Sequence, residues 1–322
     1  MLAAVFSERG KPLQLQEVSD PLNPIRVGAT GLCHGDVHII MGDWGWDVNV
    51  SPPLILGHEI ALVDDQGNTH LLYNSKGCGV CKQCRSGFPQ YCERLKVIGV
   101  HVNGGFANYM EKPEGYPLVP VKGNPADVAP LADAGTTAVN SVEGISEGDV
   151  VAVLGTGEVA LLSIQLLKLV GAETWVVGRN QSKLRKAREL GADEVIFSKG
   201  QYSSSLSESA GLKKFDYILD YVGSDESLRD VPWLLRRTGE LRIIGEFGGE
   251  LRIPEQLLVL RGLRVKGILY GSLSHMKEAV RIYEKGMLKT LSVPYSLSEI
   301  NQAISDLLEG KVVGRVVIIP SF

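Results

Sequence analysis

Val150-Val151-Ala152-Val153-Leu154-Gly155-Thr156-Gly157-Glu158-Val159-Ala160 is the stretch that decides the fold. Val150 to Leu154 is a continuous apolar run of strand length, and Leu161 to Val170 is apolar at helical spacing. Between them lies a G-x-G-x-x-A turn. Alone such a match is weak, but after a strand and at the opening of a helix it reads as a dinucleotide fingerprint. Gly155 permits the tight turn, Gly157 lets the backbone approach a pyrophosphate, and Ala160 keeps helix and strand close. The helix N-terminus, with Thr156, Glu158 and Val159 around it, then faces the phosphates. A second strand is expected at Thr174 to Val177 and a helix from about Ser182 to Leu190. Further apolar runs stand at Val195–Phe197, Tyr217–Leu219 and Leu241–Ile244. Strands alternating with helices predict an α/β fold with a doubly wound parallel sheet. The Ser-rich stretch Gln201 to Gly211 reads as an exposed connection.

The end of the second strand chooses between cofactors. Enzymes that use NAD place Asp or Glu there to bond the ribose 2′-hydroxyl. This strand ends Val177-Gly178-Arg179-Asn180, with no carboxylate and one guanidinium. Arg179 can bind a 2′-phosphate through charge-assisted hydrogen bonds, with Lys183 one turn into the helix to assist. NADP(H) is therefore expected over NAD(H). Arg179 as a solvated loop charge, or stacked on adenine, would leave NAD usable.

Around this segment the texture differs. The first 130 residues or so are rich in Gly and Pro with short β-like runs, such as Leu54–Leu56, Leu71–Tyr73 and Val97–Val100. That suits an irregular, mostly β domain with long loops. Near the end, Ser296-Leu297-Ser298-Glu299 resembles a capping box before an apolar helical face, and Val312 to Ile319 reads as a strand. The 322 residues allow two domains of ordinary size. A net charge of −4 offers no basic footprint for nucleic acid. No apolar run is long enough to predict a membrane span. Met1 to Phe6 reads as a first strand, and the absence of a signal sequence predicts a cytoplasmic, reducing setting. Clustered cysteines there bind metal more often than they pair.

All five cysteines fall into such sets. Cys78, Cys81, Cys84 and Cys92 form a C-x2-C-x2-C-x7-C run. Four thiolates this close can close a tetrahedron around zinc, which leaves no vacancy and makes the site structural. A ferredoxin-type cluster would place the fourth cysteine after three residues, with Pro next; here the gap is seven and Glu93 follows. The fifth, Cys33, opens Cys33-His34-Gly35-Asp36-Val37-His38, and Gly57-His58-Glu59 follows. Cys33, His58 and Glu59 are each weak alone, since a lone Cys is usually a small buried hydrophobe. Together, sulfur, nitrogen and oxygen suit a catalytic zinc with an open position.

On these strings the chain resembles the zinc-dependent medium-chain alcohol dehydrogenases. Gly104-Gly105-Phe106-Ala107, Leu190-Gly191-Ala192-Asp193 and Gly314-Arg315-Val316-Val317 match as well, in the family's order. The resemblance implies a GroES-like, mostly β catalytic domain from residues 1–134 and 271–322, around a Rossmann domain at 135–270. It implies two zinc ions per subunit. The catalytic zinc would be held by Cys33, His58 and a third ligand, which in this chain falls on Asp133; Glu59 would touch the metal or stand behind it. An Asp133 that merely caps the following helix is the alternative. Arg315 would reach the pyrophosphate. The activity implied is reversible hydride transfer between an alcohol and the nicotinamide, giving aldehyde or ketone, in a homodimer or homotetramer. A polyol or sugar dehydrogenase, a metal-free reductase and a non-catalytic nucleotide-binding relative are the rivals. Where the family often carries Thr or Ser two residues after the catalytic Cys, this chain has Gly35, so the proton relay must use water, the cofactor ribose or another group. His38 is the candidate for its far end, with an ordinary loop histidine as the alternative. Trp44 and Trp46 are expected to wall a pocket for an apolar or aromatic substrate, unless they are core or interface residues.

Overall fold

The computed structural model describes residues 1–44 and 48–320. Trp46 lies outside the described residues. The chain divides into two compact units, Met1–Thr136 with Tyr270–Phe322, and Thr137–Leu269.

The second unit is a six-stranded sheet. Its order is Glu194–Phe197, Glu173–Gly178, Val150–Leu154, Phe215–Asp220, Leu235–Ile243 and Arg264–Gly267, and every pairing is parallel. Val150–Leu154 has a later strand on each side, so the strand order reverses about it. In such sheets the crevice beyond the carboxyl ends, at that reversal, is the ligand site. Helices Glu158–Val170 and Gln181–Leu190 follow the first two strands, and both stop at a left-handed glycine, Gly171 or Gly191. The Ser-rich stretch departs from expectation. Tyr202–Ala210 is a helix that buries Tyr202, Ser203 and Leu206. Two buried apolar residues, Tyr202 and Leu206, among serines carry too little periodicity to announce it.

The first unit carries a seven-stranded sheet. Along it lie Leu118–Val121, Thr69–Leu72, Glu59–Val63, Pro24–Leu32, Arg315–Ile319 and Ser292–Ser296, and Tyr109–Glu111 also pairs with Pro24–Leu32. Glu59–Val63 pairs antiparallel with Thr69–Leu72 in a hairpin around Gly67. The capping box at Ser296 and Glu299 is present, ahead of helix Ile300–Leu308. A separate three-stranded sheet orders Gln14–Glu17, Leu2–Phe6 and Leu54–Ile55. Register places the site. Gly31 is opposite Glu59 on one side and Val317 on the other. Cys33 lies just beyond the end of its strand, so Cys33, Glu59 and Arg315 are gathered at one end of the sheet. Among the described residues, no helix is long and apolar enough to cross a membrane.

Candidate functional site

Among the described residues, two groups of potential metal ligands are found in the first unit. Ligand atoms of Cys33, His58, Glu59 and Asp133 all lie within 4.8 Å of one another, as do those of Cys78, Cys81, Cys84 and Cys92.

In the mixed set, Cys33 is the N-cap of helix His34–Met41. Asp36, three residues on, is fully buried, and its Oδ2 accepts from the Cys33 N–H at 3.0 Å. Its Oδ1 accepts from the Gly57 N–H at 3.1 Å and lies 3.2 Å from His58 Nδ1. One carboxylate thus ties the Cys33 turn to the GHE turn and turns the other nitrogen of His58 inward. His58 Nε2 is 3.6 Å from Asp133 Oδ2. Burial by itself would lower the His58 pKa, but the charge of Asp36 and hydrogen bonds to Asp133, Asp36 and Cys33 raise it well above the ordinary value. Burial likewise pushes Asp133 upward, and the hydrogen bond and charge of His58 outweigh it, so Asp133 sits well below the usual carboxylate range. Asp133 connects the 3-10 turn Ala129–Ala132 to helix Ala134–Val142, with its carboxylate in the cluster.

Glu59 is fully buried. Burial raises its pKa well above the carboxylate norm, against the pull of Arg315 and with the push of Asp133 and Cys33. Arg315 Nη2 donates to Glu59 Oε1 at 2.6 Å and lies 3.9 Å from Asp133 Oδ2. The resemblance sends Arg315 toward a pyrophosphate; in this structure it is buried beside the acidic pair. Gly31 makes the room, since a Cβ there would collide with Glu59 Oε2. A thiolate and two carboxylates packed this closely repel one another. A divalent cation answers that repulsion with the donor set that zinc accepts.

His38 is also buried, and its Nδ1 is 2.8 Å from Asp43 Oδ1. Its ring stacks on Trp44 at 6.2 Å. A Cβ on Gly35 would stand 3.4 Å from His58 Cε1, 3.5 Å from Trp44 Cη2 and 3.9 Å from Cys33 Sγ. Gly35 therefore borders the cluster, and the Trp44 ring lies close to Gly35.

In the four-cysteine lobe the backbone is wrapped around sulfur. Cys78 N–H points to Cys92 Sγ at 3.3 Å, Cys81 N–H to Cys78 Sγ at 3.4 Å, and Cys84 N–H to Cys81 Sγ at 3.5 Å. Amides of Val80 and Cys81 lower the Cys78 thiol to about 5, while burial and the neighbouring sulfurs push Cys84 up to about 11. One sulfur is ready to ionise and another is held back by its neighbours, which is the demand that a bound dication meets.

In the second unit the fingerprint forms the expected strand–turn–helix. Gly155 has φ +104°, and Gly157 is the N-cap of helix Glu158–Val170. A Cβ on Gly157 would meet no atom within 4 Å, so space for a phosphate is open at the helix start. Register pairs Leu154 with Val177, which sets Gly178 and Arg179 beside the turn. Arg179 is exposed, with its guanidinium carbon 5.9 Å from the Tyr202 ring centre. Burial lowers the Lys183 ammonium. The side-chain oxygen of Asn180 is engaged as a helix cap, accepting from the N–H groups of Ser182 at 2.9 Å and Lys183 at 3.2 Å.

Sequence reasoning overlooked Asp36 and Tyr202. The Asp36 role had a local signal, a carboxylate three residues after a capping Cys33. Tyr202 had none, because its partner Arg179 lies on a different element.

Residues 23–123 match the family model of the alcohol dehydrogenase GroES-like domain, and residues 159–285 match that of the zinc-binding dehydrogenase. D-arabinose 1-dehydrogenase (NADP(+)) of Saccharolobus solfataricus is 31% identical, over 99% of this chain and 97% of its own. The NAD-dependent alcohol dehydrogenase of the same organism is 30% identical, over 99% of this chain and 100% of its own. The crystal structure of the alcohol dehydrogenase from Aeropyrum pernix superposes with a TM-score of 0.91 at 30% identity, covering 99% of this chain and 100% of that one. With a GroES-like unit, a nucleotide-binding unit and relatives that match it from end to end, this chain belongs to the zinc-containing, NAD(P)-dependent medium-chain alcohol dehydrogenases.

Proposed function

We propose that the protein oxidises a primary or secondary alcohol, of apolar or aromatic character, to an aldehyde or ketone by reversible hydride transfer to NADP. The observation that carries this is the convergence of Cys33, His58, Glu59 and Asp133 within 4.8 Å. Cys33, His58 and Asp133 would hold a catalytic zinc, and Cys78, Cys81, Cys84 and Cys92 a structural one. The catalytic ion supplies Lewis acidity, which eases ionisation of an alcohol and polarises a carbonyl. Glu59, neutralised by Arg315, stands ready as a further ligand or as a charge behind the metal. Asp36 keeps His58 in the orientation that offers Nε2 to the ion.

The substrate hydroxyl must lose a proton, and Gly35 has no group to accept it. His38, paired with Asp43 at 2.8 Å, is the titratable residue on that helix suited to pass the proton outward, through water or the cofactor ribose. The Trp44 ring close to Gly35 favours apolar or aromatic substrates. Arg179 and Lys183, with no carboxylate at the strand end, favour NADP. The turn Gly155–Val159 would receive the pyrophosphate, with Gly178 and Asn180 shaping the adenosine side. The five unpaired cysteines suit a cytoplasmic enzyme, and the family likeness supports a homodimer or homotetramer.

Sugar oxidation is the second reading, because a 31% identical relative bears the name of an arabinose dehydrogenase. A kinetic screen of benzylic, aliphatic and pentose substrates with both cofactors separates the two. Highest kcat/KM for an apolar alcohol with NADP supports the proposal. Preference for the pentose, or equal use of NAD, overturns the corresponding part.

A further inference from the structure

Asp133 hangs from an irregular piece of backbone. Its φ of −129° and ψ of −63° belong to neither the 3-10 turn before it nor the helix after it. Helical hydrogen bonding therefore does not by itself fix where its carboxylate points. The peptide unit that carries it begins at the Ala132 carbonyl, and that carbonyl is held from outside. Tyr270 Oη donates to Ala132 O at 2.7 Å. Thr136 Oγ1 donates to the preceding carbonyl, Leu131 O, at 2.9 Å and approaches Ala132 O at 3.4 Å.

Tyr270 is itself in an unusual state. It is buried, with a φ of +51°. A bulky residue keeps that conformation only where its surroundings impose it, and such residues gather at functional sites. A second tyrosine packs against Tyr270. Tyr73, fully buried, donates its hydroxyl to Gly271 O at 2.8 Å, and the two rings stack at 5.4 Å. Tyr73 thus holds the carbonyl of the residue after Tyr270, and Tyr270 holds the carbonyl of the residue before Asp133.

We propose that Tyr270 is a positioning residue for the catalytic metal: by clamping the Ala132 carbonyl, with Tyr73 locking it in place, it fixes Asp133 in ligating geometry and sets how tightly the ion is held. The proposal rests on the reading that Cys33, His58 and Asp133 bind zinc. Outer partners of metal ligands typically govern affinity by about 10- to 100-fold.

The test is zinc retention by the holoenzyme under dialysis against a chelator, with zinc per chain followed in time. Tyr270→Phe keeps the ring and its stacking and removes only the hydroxyl. It should release one zinc equivalent at least about tenfold faster than wild type. The second equivalent, the thermal melt and dinucleotide binding should stay at wild-type values, and lost activity should return in excess zinc. Release of both equivalents at wild-type rates overturns the proposal. So does parallel loss of both with a lowered melt, which would mark a purely structural role. Should Tyr270→Phe not fold, Tyr73→Phe carries the test, with faster loss of the same single equivalent expected and wild-type retention again overturning it. A wild-type protein that binds fewer than two equivalents overturns the underlying metal reading, and is distinguishable because it does not involve the variants.

Discussion

His58 shows how one side chain is committed by its neighbours. Asp36 Oδ1 lies 3.2 Å from Nδ1, so Nε2 is the nitrogen left to face Asp133 at 3.6 Å. The pattern of a ligating imidazole oriented through its other nitrogen is how metal sites fix tautomer and direction. Cys33 supplies the sulfur of the same set, and a methyl group cannot replace it as a ligand. Cys33→Ala is expected to lower kcat by about three orders of magnitude or more, the scale of losing a principal catalytic group. Zinc analysis should fall from two equivalents to one while nucleotide binding persists; full activity would sink the assignment. At the cofactor end, Arg179→Asp exchanges a guanidinium for a carboxylate that repels a 2′-phosphate. NADPH affinity should drop by about 10- to 100-fold, the worth of a charge-assisted hydrogen bond. NADH affinity, measured by the same fluorescence titration, should change little, and equal losses would remove the 2′-phosphate argument.

Individual elements differ in how openly they announce themselves. The helix Gln181–Leu190 has a local grammar: Asn180 caps its start and Gly191, with φ +119°, ends it. Replacing Asn180 by Ala removes an acceptor from two N–H groups and should cost about 1 kcal/mol. Chemical denaturation would register it, and an unchanged midpoint would show that solvent caps the helix as well. The helix Tyr202–Ala210 has no such grammar. Its serines suggest a loop, and burial of Tyr202 and Leu206 in the sheet's core is what holds it helical. Tertiary packing overrides weak propensity in short helices of this kind. The four-cysteine lobe is the opposite case, since its sulfurs are close in sequence and turns alone bring them together.

For the molecule as a whole, that lobe has little apolar core of its own. Helix Lys82–Arg85 has no buried residue, and the strands Ser75–Lys76 and Lys96–Val97 are two residues each. Small lobes of this kind depend on metal to fold. Full zinc removal should therefore loosen residues 76–97 in hydrogen exchange. Amides of the parallel sheet should retain their protection, and protection of the lobe without metal would contradict this. The sequence by itself determined what is encoded over short distances: the Gly155–Ala160 turn, the four-sulfur group, the Cys33 and His58 strings, and the alternation of strand and helix. Spacing along the chain is enough there, because neighbours in sequence are neighbours in space. Only the tertiary structure decided that Arg315 meets Glu59, 256 residues away, that Asp36 approaches His58, and that Tyr270 reaches Ala132. Those meetings depend on sheet register and on where distant segments dock. A one-residue slip in a strand reverses every side chain on it. Such contacts are settled by the packing of the whole unit rather than by any local run of residues.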